Sequence, residues 1–158
     1  VIRINDQDGA ALGAGDELYP SSIEVTFNRP MDAEPVAGQE GVDEPTDDGF
    51  PVATMSMKFP RYNAANDAFF DDWDAFTSKK MDITFTGKMI EDPYRYQFKL
   101  SFPHVKVDNP EAPVSGPGKI PFSLNFQVLA AAEAPTGMAF TEPFWIEAIN
   151  KRSTNPLA

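Results

Sequence analysis

There is no cysteine in this 158-residue sequence, and there is one histidine, His104. The first absence excludes disulfide staples and thiolate zinc sites, and it fits a reducing cytosol. The second leaves any Ser–His–Asp arrangement dependent on His104 alone, set between Pro103 and Val105 at the end of a strand-like run. No catalytic role is expected of it. No stretch approaches the ~18–20 apolar residues of a membrane span, and no basic start, apolar centre and small-residue cleavage site form a signal peptide. Bases are also scarce: 13 Lys and Arg stand against 24 Asp and Glu, for a net charge of −11. A protein of this balance does not grip nucleic acid through phosphates, because that binding needs clustered Lys and Arg.

The familiar ligand loops are missing too. Asp6, Asp8 and Gly9 suggest a calcium loop until the register is tested. With Gly9 at loop position six, Ile4 falls at position one and Gly15 at position twelve, where acids are required. The same test on Gly49 places Met55 at position twelve. Gly9, Gly13 and Gly15 follow no buried strand and precede no Gly-Lys-Ser/Thr, so they build no phosphate cradle. No catalytic, cofactor or metal residues are expected.

What the chain does have is alternation. From Tyr94 to Phe102, bulky apolar residues take every even position and polar or cationic ones every odd position. Period two is the mark of a half-buried strand, with Tyr94, Tyr96, Phe98, Leu100 and Phe102 on one face. The pattern recurs at 22–28 (Ile23, Val25, Phe27), 52–59 (Ala53, Met55, Met57, Phe59), 81–89 (Met81, Ile83, Phe85, Met89) and 120–128 (Ile120, Phe122, Leu124, Phe126, Val128). Glu91-Asp92-Pro93 joins two of these runs as a hairpin, residues 108–118 read as turn throughout, and Pro143 introduces a last strand at 144–149. With 42% hydrophobic residues, a chain of this length normally folds as one domain, 1–158. It opens on Val1 directly in strand-like sequence, so the expectation is a piece of a longer protein whose N-terminal part is absent.

One helix interrupts the strands. Asn66 is the expected N-cap, Asp67 sits in the first turn, and Phe69, Trp73 and Phe76 form a stripe that caps the sheet core. Between the first two long strand runs lies an acidic segment, residues 31–50. It holds Asp32, Glu34, Glu40, Asp43, Glu44, Asp47 and Asp48, and no base. Rich in Gly and Pro as well, it reads as a long mobile loop: either solvated, or an arm that orders against a neighbouring subunit.

The ordered residues resemble a family. Pro20-Ser-Ser-Ile-Glu-Val-Thr-Phe-Asn-Arg-Pro, Met81-Asp-Ile-Thr-Phe-Thr-Gly-Lys-Met-Ile and Tyr94-Arg-Tyr-Gln-Phe-Lys-Leu-Ser-Phe-Pro-His-Val-Lys-Val are the first segments that carry the likeness. Val114-Ser-Gly-Pro-Gly-Lys-Ile-Pro-Phe-Ser-Leu-Asn-Phe-Gln-Val-Leu and Phe144-Trp-Ile-Glu-Ala-Ile-Asn complete it. Together they resemble the major tail tube proteins of long-tailed, siphovirus-type bacteriophages and prophages, over roughly Leu18 to Asn150. The resemblance implies a mainly β fold, a two-sheet β-sandwich or half-barrel with one short flanking helix, shared with the tube protein of type VI secretion. It also implies a structural, non-enzymatic virion protein, made in the host bacterial cytoplasm and placed in the tail. Its partners would be copies of itself, in stacked hexameric rings, and other tail proteins. DNA would pass through the lumen without specific binding, and the long loop, here 31–50, would reach a neighbour. The alternative is a non-catalytic β-sandwich binding module of carbohydrate-binding or adhesion type. It would need a platform of exposed aromatics, for which Trp145 and Tyr62 are the candidates.

Overall fold

The computed structural model describes residues 1–32, 46–49, 51–114 and 116–151. In chain order these form β1 (Ile2–Asp6), β2 (Glu17–Leu18), β3 (Ser22–Asn28), β4 (Met31–Asp32), β5 (Thr46–Asp47) and β6 (Val52–Phe59). The helix α1 (Ala64–Asp74) follows, then β7 (Ser78–Glu91), β8 (Tyr94–Glu111), β9 (Phe122–Leu129) and β10 (Trp145–Ile149). The fold is mainly β with one helix. Eight strands make one antiparallel sheet in the order β2-β1-β7-β8-β9-β6-β3, with β10 also paired to β8, while β4 and β5 form a separate ribbon.

The core lies on one face of this sheet and draws on both of its flanks. Met55, Met57, Met81, Ile83, Phe102, Phe122, Leu124 and Phe126 are all fully buried and belong to a single cluster. In β6 and β9 the alternation does what period two requires: Ala53, Met55, Met57 and Phe59 point inward, opposite Val128, Phe126, Leu124 and Phe122. Each such side chain contributes about 1.5–3 kcal/mol by leaving water.

In β8 the regular reading fails, and the cause is local. The strand does not end at Phe102 but runs on to Glu111, taking up residues 108–111 that the sequence assigns to a turn. The register against β7 slips between Lys79/Met81, so that Met81 faces Phe102 while Lys79 faces Val105. Pro103 falls in this bulge, where its missing N–H costs no ladder bond. The outer neighbour of β8 changes at the same place, from β10 (up to Ser101) to β9 (from His104). The extra residue flips the buried phase: Leu100 and Phe102 face the core before it, Val105 and Val107 after it. A second slip between Val107/Asn109 returns Pro110 to the interior.

The helix starts earlier than the sequence predicts. Asn63, not Asn66, is the cap, its side chain accepting from the backbone N–H of Ala65 and Asn66. Asn66 is instead buried, donating from Nδ2 to the Arg61 carbonyl at 3.2 Å. The core-facing aromatics are therefore Phe69, edge-on to Phe126, and Phe70, against Phe122 and Tyr62. Trp73 and Phe76, expected in the same stripe, are exposed.

The opposite face of the sheet is covered at one place. Lys80 is fully buried there, its Nζ donating to the carbonyls of Gly9 (2.8 Å), Thr136 (3.1 Å) and Gln7 (3.4 Å). Burial pushes its pKa down, with Asp16 and Asp8 pulling the other way. The ammonium clamps the Gln7–Gly9 turn to the loop at 131–142. Gly137 completes the clamp: its φ is +87°, and a Cβ on it would come within 2.8 Å of the Ala11 Cβ.

Candidate assembly surface

The β7–β8 hairpin is longer than the elements around it. β7 has 14 residues and β8 has 18, against eight in β9 and five in β1 and β10. On the β7 side, β1 stops at Ile83, and the Val1 amino group closes the ladder by donating to the Thr84 carbonyl at 2.8 Å. On the β8 side, β10 reaches only Gln97. Residues 85–96 thus project with both edges unpaired among the described residues.

The core face continues along this projection. Its rungs are Met81 opposite Phe102, Ile83 opposite Leu100, and Phe85 opposite Phe98. The first rung is fully buried, Ile83 is buried and Leu100 half-buried, but Phe85 is 54% exposed and Phe98 41%. Tyr96 and Tyr94 beyond them are exposed, as is Met89. The alternation predicts one buried face over 94–102 and 81–89. The face runs as expected through Phe85 and Phe98, but a register slip between Thr86/Met89 sets Met89 opposite Arg95, on the other face, and burial stops where the flanking strands end. Ile146 is also exposed and lies opposite Leu100 in the ladder of this face, while Phe144 packs against Phe27 with ring centroids 4.3 Å apart. A contiguous apolar area of this kind on a folded chain marks a contact surface.

A second exposed aromatic group stands at the C-terminal end of α1. Trp73 is 43% exposed and Phe76 is 70% exposed. Phe76 has φ +53°, a left-handed conformation that ends the helix and turns the chain toward β7. Asp72 on this helix pairs with Lys79 at 2.9 Å, and Asp6 pairs with the same ammonium at 2.9 Å. Burial works against the charged Lys79, and the two carboxylates outweigh it, raising its pKa. Asp71 and Asp74, flanking Trp73, make no ion pair among the described residues.

Of the acidic segment, Asp32, Asp47 and Asp48 are described; Glu34, Glu40, Asp43 and Glu44 lie outside the described residues. Its two ends pair as the β4–β5 ribbon, Met31 opposite Asp47 and Asp32 opposite Thr46, instead of forming loop from the start. Asp47 accepts two bonds from the Arg29 guanidinium, at 2.8 and 3.1 Å. That bond holds its carboxyl below the ordinary range. The Asp48 N–H donates to the Pro30 carbonyl at 3.0 Å, closing the ribbon base.

Groups with chemical potential elsewhere are tied into the fold. His104 Nδ1 lies 3.1 Å from the Ala130 carbonyl and Nε2 3.1 Å from Ser78 Oγ. No sequence pattern signals this Ser78 contact, because it joins positions 26 apart across a bulge. The imidazole is oriented by a carbonyl, not a carboxylate, so the pair links β7, β8 and the end of β9 without completing a triad. Beneath the 131–142 loop, a cleft of about 600 Å³ contains the buried carboxylate of Asp82, 3.6 Å from Arg3 and 3.5 Å from Lys99. No cluster of three or more metal-binding side chains occurs among the described residues. No helix among them is long and apolar enough to cross a membrane.

Comparison with known proteins bears on this surface. A family model described as phage tail tube protein matches residues 3–128. Among solved structures, a chain from the virion of a native gene transfer agent particle is similar at 10% identity and a TM-score of 0.50. That match covers 82% of this chain and 92% of the other. A crystal structure of an Hcp protein is similar at 12% identity and a TM-score of 0.48, over 79% and 84% of the two chains. A comparison with curated protein sequences found no match.

Proposed function

The chain belongs to the phage tail tube protein family, and from that premise we propose that it is the subunit of stacked hexameric rings whose channel conducts DNA out of the capsid. Membership itself makes it a structural, non-catalytic component of the virion tail that assembles with copies of itself. The observation that supports the finer reading is the hairpin face described above. Phe85, Tyr96 and Phe98 extend the core face into solvent, and a second copy is the occupant that tail tube membership supplies. The alternative of a carbohydrate-binding or adhesion module loses one of its two candidates, since Tyr62 packs against Phe70 and Phe122 and its hydroxyl donates to Asp67.

Charge is consistent with a conduit. A channel that DNA must traverse quickly has to repel phosphate, and a net charge of −11 favours that. In this reading the β4–β5 ribbon is the base from which the acidic segment 31–50 reaches the neighbouring subunit. Synthesis in the host cytoplasm and contacts with other tail proteins complete the proposal.

Light scattering across a salt series, with a DNA gel shift alongside, tests it. Salt should promote assembly by screening repulsion between −11 subunits beyond a Debye length of ~8–10 Å. Double-stranded DNA should not be retarded at physiological salt. Tight, salt-sensitive DNA binding would overturn the conduit.

A further inference from the structure

We propose that the cleft beneath the 131–142 loop is a binding site for a neutral saccharide, a site that does not depend on the ring reading. It is built on the face of the sheet opposite the core. Arg3 on β1 stands opposite Asp82 on β7, Asp82 opposite Ser101 on β8, and Ser101 opposite Trp145 on β10. Directly opposed residues share a face, so these side chains form one row across the sheet. In the next row Lys99 stands opposite Glu147. The loop roofs both rows and brings Phe140 onto Trp145, the two rings stacked with centroids 5.7 Å apart.

The centre of the row lacks hydrogen bonds. The Asp82 side chain is 4% exposed, yet its Oδ1 has no hydrogen-bond partner among the described residues, and its Oδ2 lies 3.6 Å from Arg3 and 3.5 Å from Lys99. Both distances exceed the ~2.7–2.9 Å of a good charge-assisted bond. The buried Arg3 Nε has no acceptor in bonding distance either. A group that fills these gaps must donate to the carboxylate and accept from a cation. A hydroxyl does both at a single atom. Rotation about the broad χ2 of aspartate brings either carboxylate oxygen to the cleft side.

Charge selects against ions here. Arg3 and Lys99 repel a cation, Asp82, Glu142 and Glu147 repel an anion, and both sets line the cleft. Trp145 is exposed and supplies an apolar face. A pyranose fits both halves: its C–H face lies on an aromatic ring while its hydroxyls reach the polar row. The cleft volume, about 600 Å³, falls within the ~300–1,000 Å³ of small-ligand sites. A nucleobase would stack on Trp145 too, but it divides donor and acceptor between separate atoms.

Two-dimensional NMR of the full chain tests the site, with glucose, galactose, mannose and N-acetylglucosamine as probes and phosphate, arginine and cytosine for comparison. At least one sugar should shift the Trp145 indole and the Ser101 and Thr141 amides saturably, with a Kd on the order of 1 mM. Trp145→Ala, at an exposed position, and Asp82→Asn should each stay folded by circular dichroism. Each should weaken that sugar by about tenfold, the loss expected for an aromatic contact or a hydrogen bond to a charged group. Trp73→Phe, on a helix packed against the core face, should leave the affinity unchanged. Saturable shifts from phosphate, arginine or cytosine but from no sugar would overturn the saccharide. No saturable shift from any probe would mean that solvent alone fills the gaps, and the site would fall. Sugar binding that both cleft variants leave intact would lie elsewhere on the chain and overturn the assignment.

Discussion

Phe85 and Phe98 face each other across the β7–β8 ladder with ring centroids 6.3 Å apart, and both are exposed among the described residues. Two rungs away, Phe102 occupies the same face and is fully buried. In the proposed tube the pair would separate what folds the subunit from what assembles it. Phe98→Ala should cost less than about 1 kcal/mol in a denaturant titration of the isolated chain. Phe126→Ala, which empties a core site against Phe69, should cost about 3–5 kcal/mol. Phe98→Ala should also weaken assembly. A loss of 3 kcal/mol or more for Phe98→Ala in the unassembled chain would mean that the hairpin face is part of the folding core.

Lys80 gives a second test. Lys80→Met keeps most of the side-chain volume but removes the donor that reaches the part-buried carbonyls of Gly9 and Thr136, at about 1–3 kcal/mol in all. Unfolding by urea should show the loss, and amide exchange should rise in the turn at 7–9 and the loop at 131–142 before it rises in β9. Gly137→Ala should loosen the same two segments, through its positive φ and the Ala11 contact. Unchanged exchange in both variants would show that the clamp does not hold these loops.

The ribbon pair Arg29–Asp47 carries a pH dependence of known sign. The Asp47 pKa is lowered in the folded chain, so the stabilisation of the ribbon is present above the ordinary aspartate range near ~4. It is lost as pH falls below that range. Because the pair is exposed, raised salt should weaken it too. Protection of the Asp48 amide, bonded to Pro30 at the ribbon base, relative to an unfolded chain at the same pH should fall below that pH in wild type, and already at neutral pH in Asp47→Asn. Equal rates in the two proteins at pH 7 would remove the pair from any role in the ribbon.

The strands of this fold were readable because β6 and β9 have one buried face each and no irregularity, so period two maps directly onto burial. β8 was readable only to Phe102. Beyond it the bulge at Pro103 and the slip after Val107 each shift the phase by one residue, and an alternation count cannot see a shift that depends on the neighbouring strand. The helix cap was ambiguous because Asn63 and Asn66 both offer a side chain in the right place. Asn66 was committed to the Arg61 carbonyl, a contact set by the turn before the helix. Lys80 gave no signal at all, since a lysine in a strand is normally solvated and only the loop at 131–142 buries it. The exposed aromatics of the hairpin were legible as a face but not as an interface. A sequence records that a residue wants burial, not which chain supplies it.

The most direct test of the account is electron microscopy of the concentrated chain at raised salt, with particles averaged end-on and side-on. The account predicts closed rings with a central channel that stack into hollow tubes. A single monomeric species at every concentration and salt, or assemblies with no channel through them, would contradict it.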